Sequence, residues 1–208
     1  MAVGGRCQRF TQMEGMYMRQ IVLVKHAAPV VVPGKSADRW PLSAAGRESA
    51  KALAGELKMF GATQVISSIE PKASETGQLI AAELALAAQM HEGLHEHERR
   101  TVPHLRTSDF LSLMAQVFKR RDEVVLGEES ANAALLRFRS ALEATCAGHP
   151  EENLIIVTHG TVIALFLASI SQEDGYRIWR EMGLPSYAVV ETSPWRMLQV
   201  VARTAQGR

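Results

Sequence analysis

At 208 residues the chain is one large domain or two small ones, and burying about 70% of its unfolded surface would give it a core without disulfides or metals. A hydrophobic share of 47%, a charged share of 22% and a mean hydropathy of -0.04 exclude a disordered chain, a collagen and a coiled coil. Lysine and arginine number 23 against 22 Asp and Glu, so at a net charge of +1 no broad field exists to gather nucleic acid or an anionic membrane.

Residues 1–18 have no apolar core of the kind a signal peptide needs, and they read as a disordered leader. Cys7 and Cys146 lack metal or redox spacing and read as free thiols in a reducing compartment. The first strong element is Gln20-Ile-Val-Leu-Val-Lys25, a β-branched run suited to a strand buried on both faces, and it ends at His26. A proline-rich loop leads to a helix from about Ser43, with Ala50, Leu53, Leu57 and Phe60 on one face and Ser43 as its cap. A short strand over 63–67 is followed by a helix that Pro71 opens and that is expected to run to about Ala88.

Residues 90–127 are rich in His and Arg, broken by Pro103 and weakly periodic only around 110–118, which suggests a cap insertion. A further helix begins after Gly127-Glu-Glu-Ser130, with Leu135, Phe138 and Leu142 along one face, and stops at Gly148 and Pro150. Asn153-Leu-Ile-Ile-Val-Thr158 is the next buried strand; it ends at His159-Gly160, and an apolar helix follows at once. A short helix around 176–182 precedes two strands, 187–191 and 195–201, joined at Ser193-Pro194 as an edge hairpin. The apolar stretches are far shorter than the ~20 residues that span a bilayer, so a cytoplasmic chain with no membrane partner is expected. Repeated β-loop-α units predict a three-layer α/β/α domain over 19–208, with a mostly parallel sheet and an antiparallel edge hairpin.

In open parallel sheets, ligands collect beyond the carboxyl ends of the strands, which puts His26 and His159 on one rim. Lys72 opens a helix on the same rim, and Lys25 adjoins His26. Two imidazoles, two lysines and the helix starts at Lys72 and Gly160 make an anion pocket, most simply for phosphate.

Six segments extend this reading: Leu23-Val-Lys-His-Ala27, Pro41-Leu-Ser-Ala-Ala-Gly-Arg47, Ser67-Ser-Ile-Glu-Pro-Lys-Ala-Ser-Glu-Thr76, Leu94-His-Glu96, Gly127-Glu-Glu-Ser130 and Val157-Thr-His-Gly160. In this order and spacing the chain resembles the histidine phosphatase superfamily, the phosphoglycerate mutase-like group, from about Ile21 to Val201. The resemblance implies that His26 is a nucleophile forming a phosphohistidine, that His159 steadies the transferring phosphoryl group and that Glu96 protonates the leaving oxygen. It implies phosphate binding by Lys25, Lys72 and Gly160, a small phosphorylated substrate, and no cofactor or metal.

Two departures bear on activity. Lys25 and Lys72 stand where the family has arginines, so point charges replace planar forks, and Ala27 stands for the motif glycine. The leading expectation is a phosphatase; a catalytically silent phosphate-binding or regulatory module is the alternative, and a phosphomutase a lesser one.

Glu98 is a rival to Glu96 as proton donor, and His91, His95 and His97 have spacing that could bind zinc, though no fourth ligand matches. Pro29-Val-Val-Val-Pro-Gly-Lys-Ser36 mimics the end of a nucleotide-binding loop, but Pro29 holds its first glycine position. Arg39, Arg99, Arg100 and Arg106 are candidates for a second anionic group of the substrate, and the exposed edge of the hairpin offers a surface for a homodimer.

Overall fold

Branched side chains on both faces of a strand demand cover on both sides, and that requirement shapes the molecule. The computed structural model describes residues 19–202; the expected leader, residues 1–18, lies outside them. In chain order the elements are β1 (Gln20–Lys25), α1 (Ala44–Leu57), β2 (Gln64–Ser68), α2 (Pro71–Leu84), β3 (Ala87–His91) and α3 (Thr107–Lys119). They continue with α4 (Ala131–Gly148), β4 (Leu154–Thr158), α5 (Gly160–Ile170), α6 (Gly175–Glu181), β5 (Ser186–Thr192) and β6 (Trp195–Val201).

One mixed sheet runs β3-β2-β4-β1-β5-β6. Its first four strands are parallel, while β5 and β6 form the antiparallel edge. The pleat sends alternate side chains to opposite faces. Ile21, Leu23, Leu154 and Ile156 join a core with Met114, Phe138, Phe166 and Ile178 of α3 to α6. Val22, Val24, Ile155 and Val157 join a second core with Leu53, Leu57 and Ile80 of α1 and α2.

The start signals act as expected. The Ser43 side chain accepts the Gly46 N–H at 3.0 Å, and Pro71 opens α2. Gly46 is there for space: a Cβ at that position would stand 2.2 Å from the Ala28 carbonyl oxygen, over which α1 passes.

One expectation needs correction and another gains detail. The second helix does not run to Ala88; it ends at Leu84 because Ala85 turns left-handed at φ 55°, and Ala87–His91 becomes β3 beside β2. Nothing β-branched marks this strand, whose residues are mostly exposed; main-chain pairing at the sheet edge makes it. Within the cap region, residues 107–119 form a full helix, with Met114 and Val117 buried and Phe110 and Phe118 packed against the same core. Residues 102–105, before α3, line one cleft together with His26 at the end of β1 and Lys72 at the start of α2. Among the described residues, no helix is long and apolar enough to cross a membrane.

Candidate active site

Neighbouring strands bring the two histidines together. β1 and β4 pair in register, Lys25 with Thr158, and the His26 N–H extends the ladder to the Thr158 carbonyl at 2.9 Å. His26 and His159 are both buried, their rings 5.2 Å apart and edge to face. His26 Nδ1 lies 2.8 Å from the Ala27 carbonyl oxygen, which can only accept. That nitrogen therefore carries the proton, and Nε2 of the neutral ring keeps its lone pair. Burial, then His159 and Lys72, push the His26 pKa well below its ordinary value. Burial and Lys72 do the same to His159. His159 Nε2 pairs with Ser68 Oγ at 2.9 Å, while its Nδ1 is buried with no hydrogen-bond partner.

Lys72 stands at the start of α2, where its Nζ donates to the Ala37 carbonyl at 2.7 Å and meets Glu70 Oε2 at 2.5 Å. Glu70, the N-cap of that helix, also lies 3.7 Å from His159 Nδ1 through the same oxygen and accepts the Glu96 N–H through Oε1 at 2.9 Å. Below them, Ala27 N–H donates to Thr76 Oγ1, which donates to the Lys72 carbonyl, so α2 is tied to the end of β1.

Glu96 accepts the His97 N–H at 2.9 Å through Oε1 and the Thr161 N–H at 3.3 Å through Oε2, with Arg99 3.5 Å away. Burial pushes its carboxyl up, as a proton donor requires, but Arg99, His159 and the His97 N–H outweigh it and bring the pKa to about 2. Glu96 is thus a carboxylate, whereas a proton donor at neutral pH needs a raised acid. Its rival Glu98 faces His95 Nε2 at 3.3 Å and Arg100 at 3.1 Å.

The turn that carries Glu96 is held from α4. Arg137 donates to the carbonyls of Gly93, His95 and Glu96 at 3.0, 2.9 and 3.1 Å, and pairs with Glu129 at 2.6 Å. Gly127 has φ 83°, and a Cβ there would stand 1.9 Å from the Glu98 carbonyl oxygen, so only glycine lets this segment approach the turn. The Glu128 N–H then bonds that carbonyl at 2.9 Å.

Above His26 opens a cleft of about 720 Å³. Glu70, Lys72 and Glu96 line its inner end, and Lys35, Arg39, Trp40, Arg99, Arg100, His104 and Phe110 its walls. Lys25, His159 and Gly160 are not on that lining. Lys25 runs past Gly160, whose missing side chain leaves room for the lysine methylenes, and donates to the Met182 carbonyl at 2.8 Å. Burial, opposed by Glu96, lowers its pKa to about 8. Arg106 instead pairs with Asp109 at the surface.

The three cap histidines have separate partners: His91 Nδ1 accepts the Gly93 N–H, His95 Nδ1 meets the Glu92 carbonyl, and His97 Nε2 meets the Glu129 carbonyl. Among the described residues no group of three or more His, Cys, Asp or Glu could hold a metal. Sequence reasoning gave no role to Glu70 or Arg137. Glu70 had one weak signal, an acidic residue two positions before the lysine at a helix start on the rim.

Solved structures share this architecture. A mycobacterial glucosyl-3-phosphoglycerate phosphatase in complex with inorganic phosphate is 22% identical at a TM-score of 0.70, over 91% of this chain and 100% of that one. A phosphoserine phosphatase from Entamoeba histolytica in complex with 3-phosphoglyceric acid is 15% identical at a TM-score of 0.73, over 90% and 98%. YhfR of Bacillus stearothermophilus is 18% identical at 0.70, over 88% and 96%. These likenesses establish the fold. A search of curated proteins returned no match. The model of the histidine phosphatase superfamily, branch 1, matches residues 21–202, nearly the whole described chain, and the protein belongs to that superfamily.

Proposed function

We propose that the protein is a phosphomonoesterase that hydrolyses a small phosphorylated metabolite through a phosphohistidine on His26. One observation carries the reading: His26 is locked by the Ala27 carbonyl with Nε2 unprotonated, opposite a buried His159 whose Nδ1 has no partner. Nε2 attacks phosphorus, the P–O ester bond breaks, and the leaving oxygen takes a proton from Glu96. Water then attacks the phosphohistidine and gives a proton to the Glu96 carboxylate, the P–N bond breaks, and phosphate leaves with Nε2 restored.

Lys72 and His159 meet the charge that spreads over the equatorial oxygens. Lys25 adds positive potential from behind Gly160. Glu96 acquires its proton when substrate arrives, because the negative charge of a phosphate beside it opposes ionisation as Arg99 favours it. The cationic walls of the cleft suit a metabolite with a second anionic group, and two of the similar structures, by their names, are phosphatases of glucosyl-3-phosphoglycerate and phosphoserine.

A second reading is a phosphate-binding module without turnover. It is favoured by Lys25 resting on the Met182 carbonyl and by Glu70 already pairing with Lys72. Acid-sensitive peptide mapping after a rapid quench, across a panel of phosphorylated metabolites, separates the two. The phosphatase yields labelled His26 and loses at least about 10³-fold in rate as His26→Ala. Phosphate release with His26 unmodified overturns the mechanism; saturable phosphate binding without release from any ester favours the module.

A further inference from the structure

A carboxylate is an awkward neighbour for a bound phosphate, since both are acceptor-only and negative. Glu70 is such a neighbour. It is 8% exposed, and both oxygens are fixed, Oε1 by the Glu96 N–H and Oε2 by Lys72. Oε2 also lies 3.7 Å from His159 Nδ1, the buried nitrogen without a partner. An oxyanion that engages Lys72 and Nδ1 therefore brings an oxygen beside Glu70. His26, Glu96, Arg99, Asp38 and His95 stand nearest among the other titratable groups, with Lys25 behind Gly160 and Lys35, Arg39, Glu92, His97, Glu98, Arg100 and His104 farther along the cleft.

We propose that Glu70 is a specificity residue that admits tetrahedral oxyanions able to carry a proton, phosphate and its monoesters, and rejects fully ionised ones of the same shape, of which sulfate is the simplest. The proposal rests on the reading of the inner cleft as a phosphate seat.

The chemistry is one shared proton. A phosphate oxygen that keeps its hydrogen donates it to Glu70 Oε2, a short charge-assisted bond, while Lys72 faces both partners. No covalent bond changes. Sulfate brings the same geometry but no hydrogen at neutral pH, so two anionic acceptors meet with nothing between them. Replacing the carboxylate by an amide removes the charge, keeps an acceptor for the Glu96 N–H and supplies an N–H donor to the anion.

Calorimetric titration of the full chain with inorganic phosphate and with sodium sulfate tests this. At about pH 7 the native protein is expected to prefer phosphate by about 100-fold or more, and Glu70→Gln to lose at least about tenfold of that preference through tighter sulfate binding. An equal preference in the two proteins overturns the proposal. So does a native chain that binds sulfate as tightly as phosphate, a result that needs no variant. If His26 is labelled by substrate while the preference is unchanged, only the role of Glu70 falls; if neither protein binds phosphate, the seat falls with it.

Discussion

Lys25 shows how a single buried charge writes itself into stability. Its ammonium pKa is lowered by burial, against Glu96, from 10.5 to about 8. In the unfolded chain the ordinary value returns, so between those two values the unfolded state binds more protons than the native one. Unfolding free energy then rises with pH across that window, and below it the fold bears the full cost of the buried charge. Urea unfolding at about pH 7.5 and pH 10 is expected to report a gain of up to about 3 kcal/mol from this group, missing from Lys25→Met. Equal gains in both proteins would refute the attribution. At this scale much of the site was legible: each histidine ends a run of branched apolar residues, and the end of a parallel strand is where ligands gather. The Glu96 pKa was not legible, because it depends on Arg99 and on backbone N–H groups that folding supplies. Glu70 was not legible either, since an acid at a helix start reads as a cap.

Among the elements, α4 does more than cover the sheet. Through Arg137 it holds the three carbonyls of the turn that carries Glu96. Arg137→Met leaves those carbonyls without a charged donor and Glu129 without its ion pair, and should destabilise the fold by on the order of 3 kcal/mol. If the residue positions Glu96, kcat also falls, by about tenfold or more at temperatures where the variant is folded, and Arg137→Lys recovers part of both losses. Lost stability with unchanged kcat would make the contact purely structural. The long helices and central strands were legible because burial imposes a period on their side chains. β3 was not: an exposed edge strand is held by main-chain bonds to β2, and Ala-Ala-Gln-Met-His carries no trace of them.

Across the whole molecule, the sheet separates two large cores that share strands but not side chains, and a small third cluster of Ala27, Leu42 and Ala50 lies apart from both. Phe138 belongs to one and Leu57 to the other, both fully buried. Truncation to alanine should cost about 3–5 kcal/mol at Phe138 and about 2–5 kcal/mol at Leu57. In the double variant the losses should add to within about 0.5 kcal/mol, because no contact is common to both sites. Denaturant melts of the four proteins measure this; a coupling well beyond that value would mean that strain passes through the sheet.

The pairing of β1 with β4 has a consequence for the proposed reaction. The separation of the two histidines is inherited from the pitch of a parallel ladder, about 4.8 Å between strands, and the His26–Thr158 hydrogen bond carries that pitch one residue beyond the last paired strand position. The gauge of the reacting pair is therefore a property of peptide geometry, identical whichever apolar side chains fill the layers above and below. Sequence can drift through both cores while the spacing on which the proposed phosphoryl transfer depends stays where the backbone sets it.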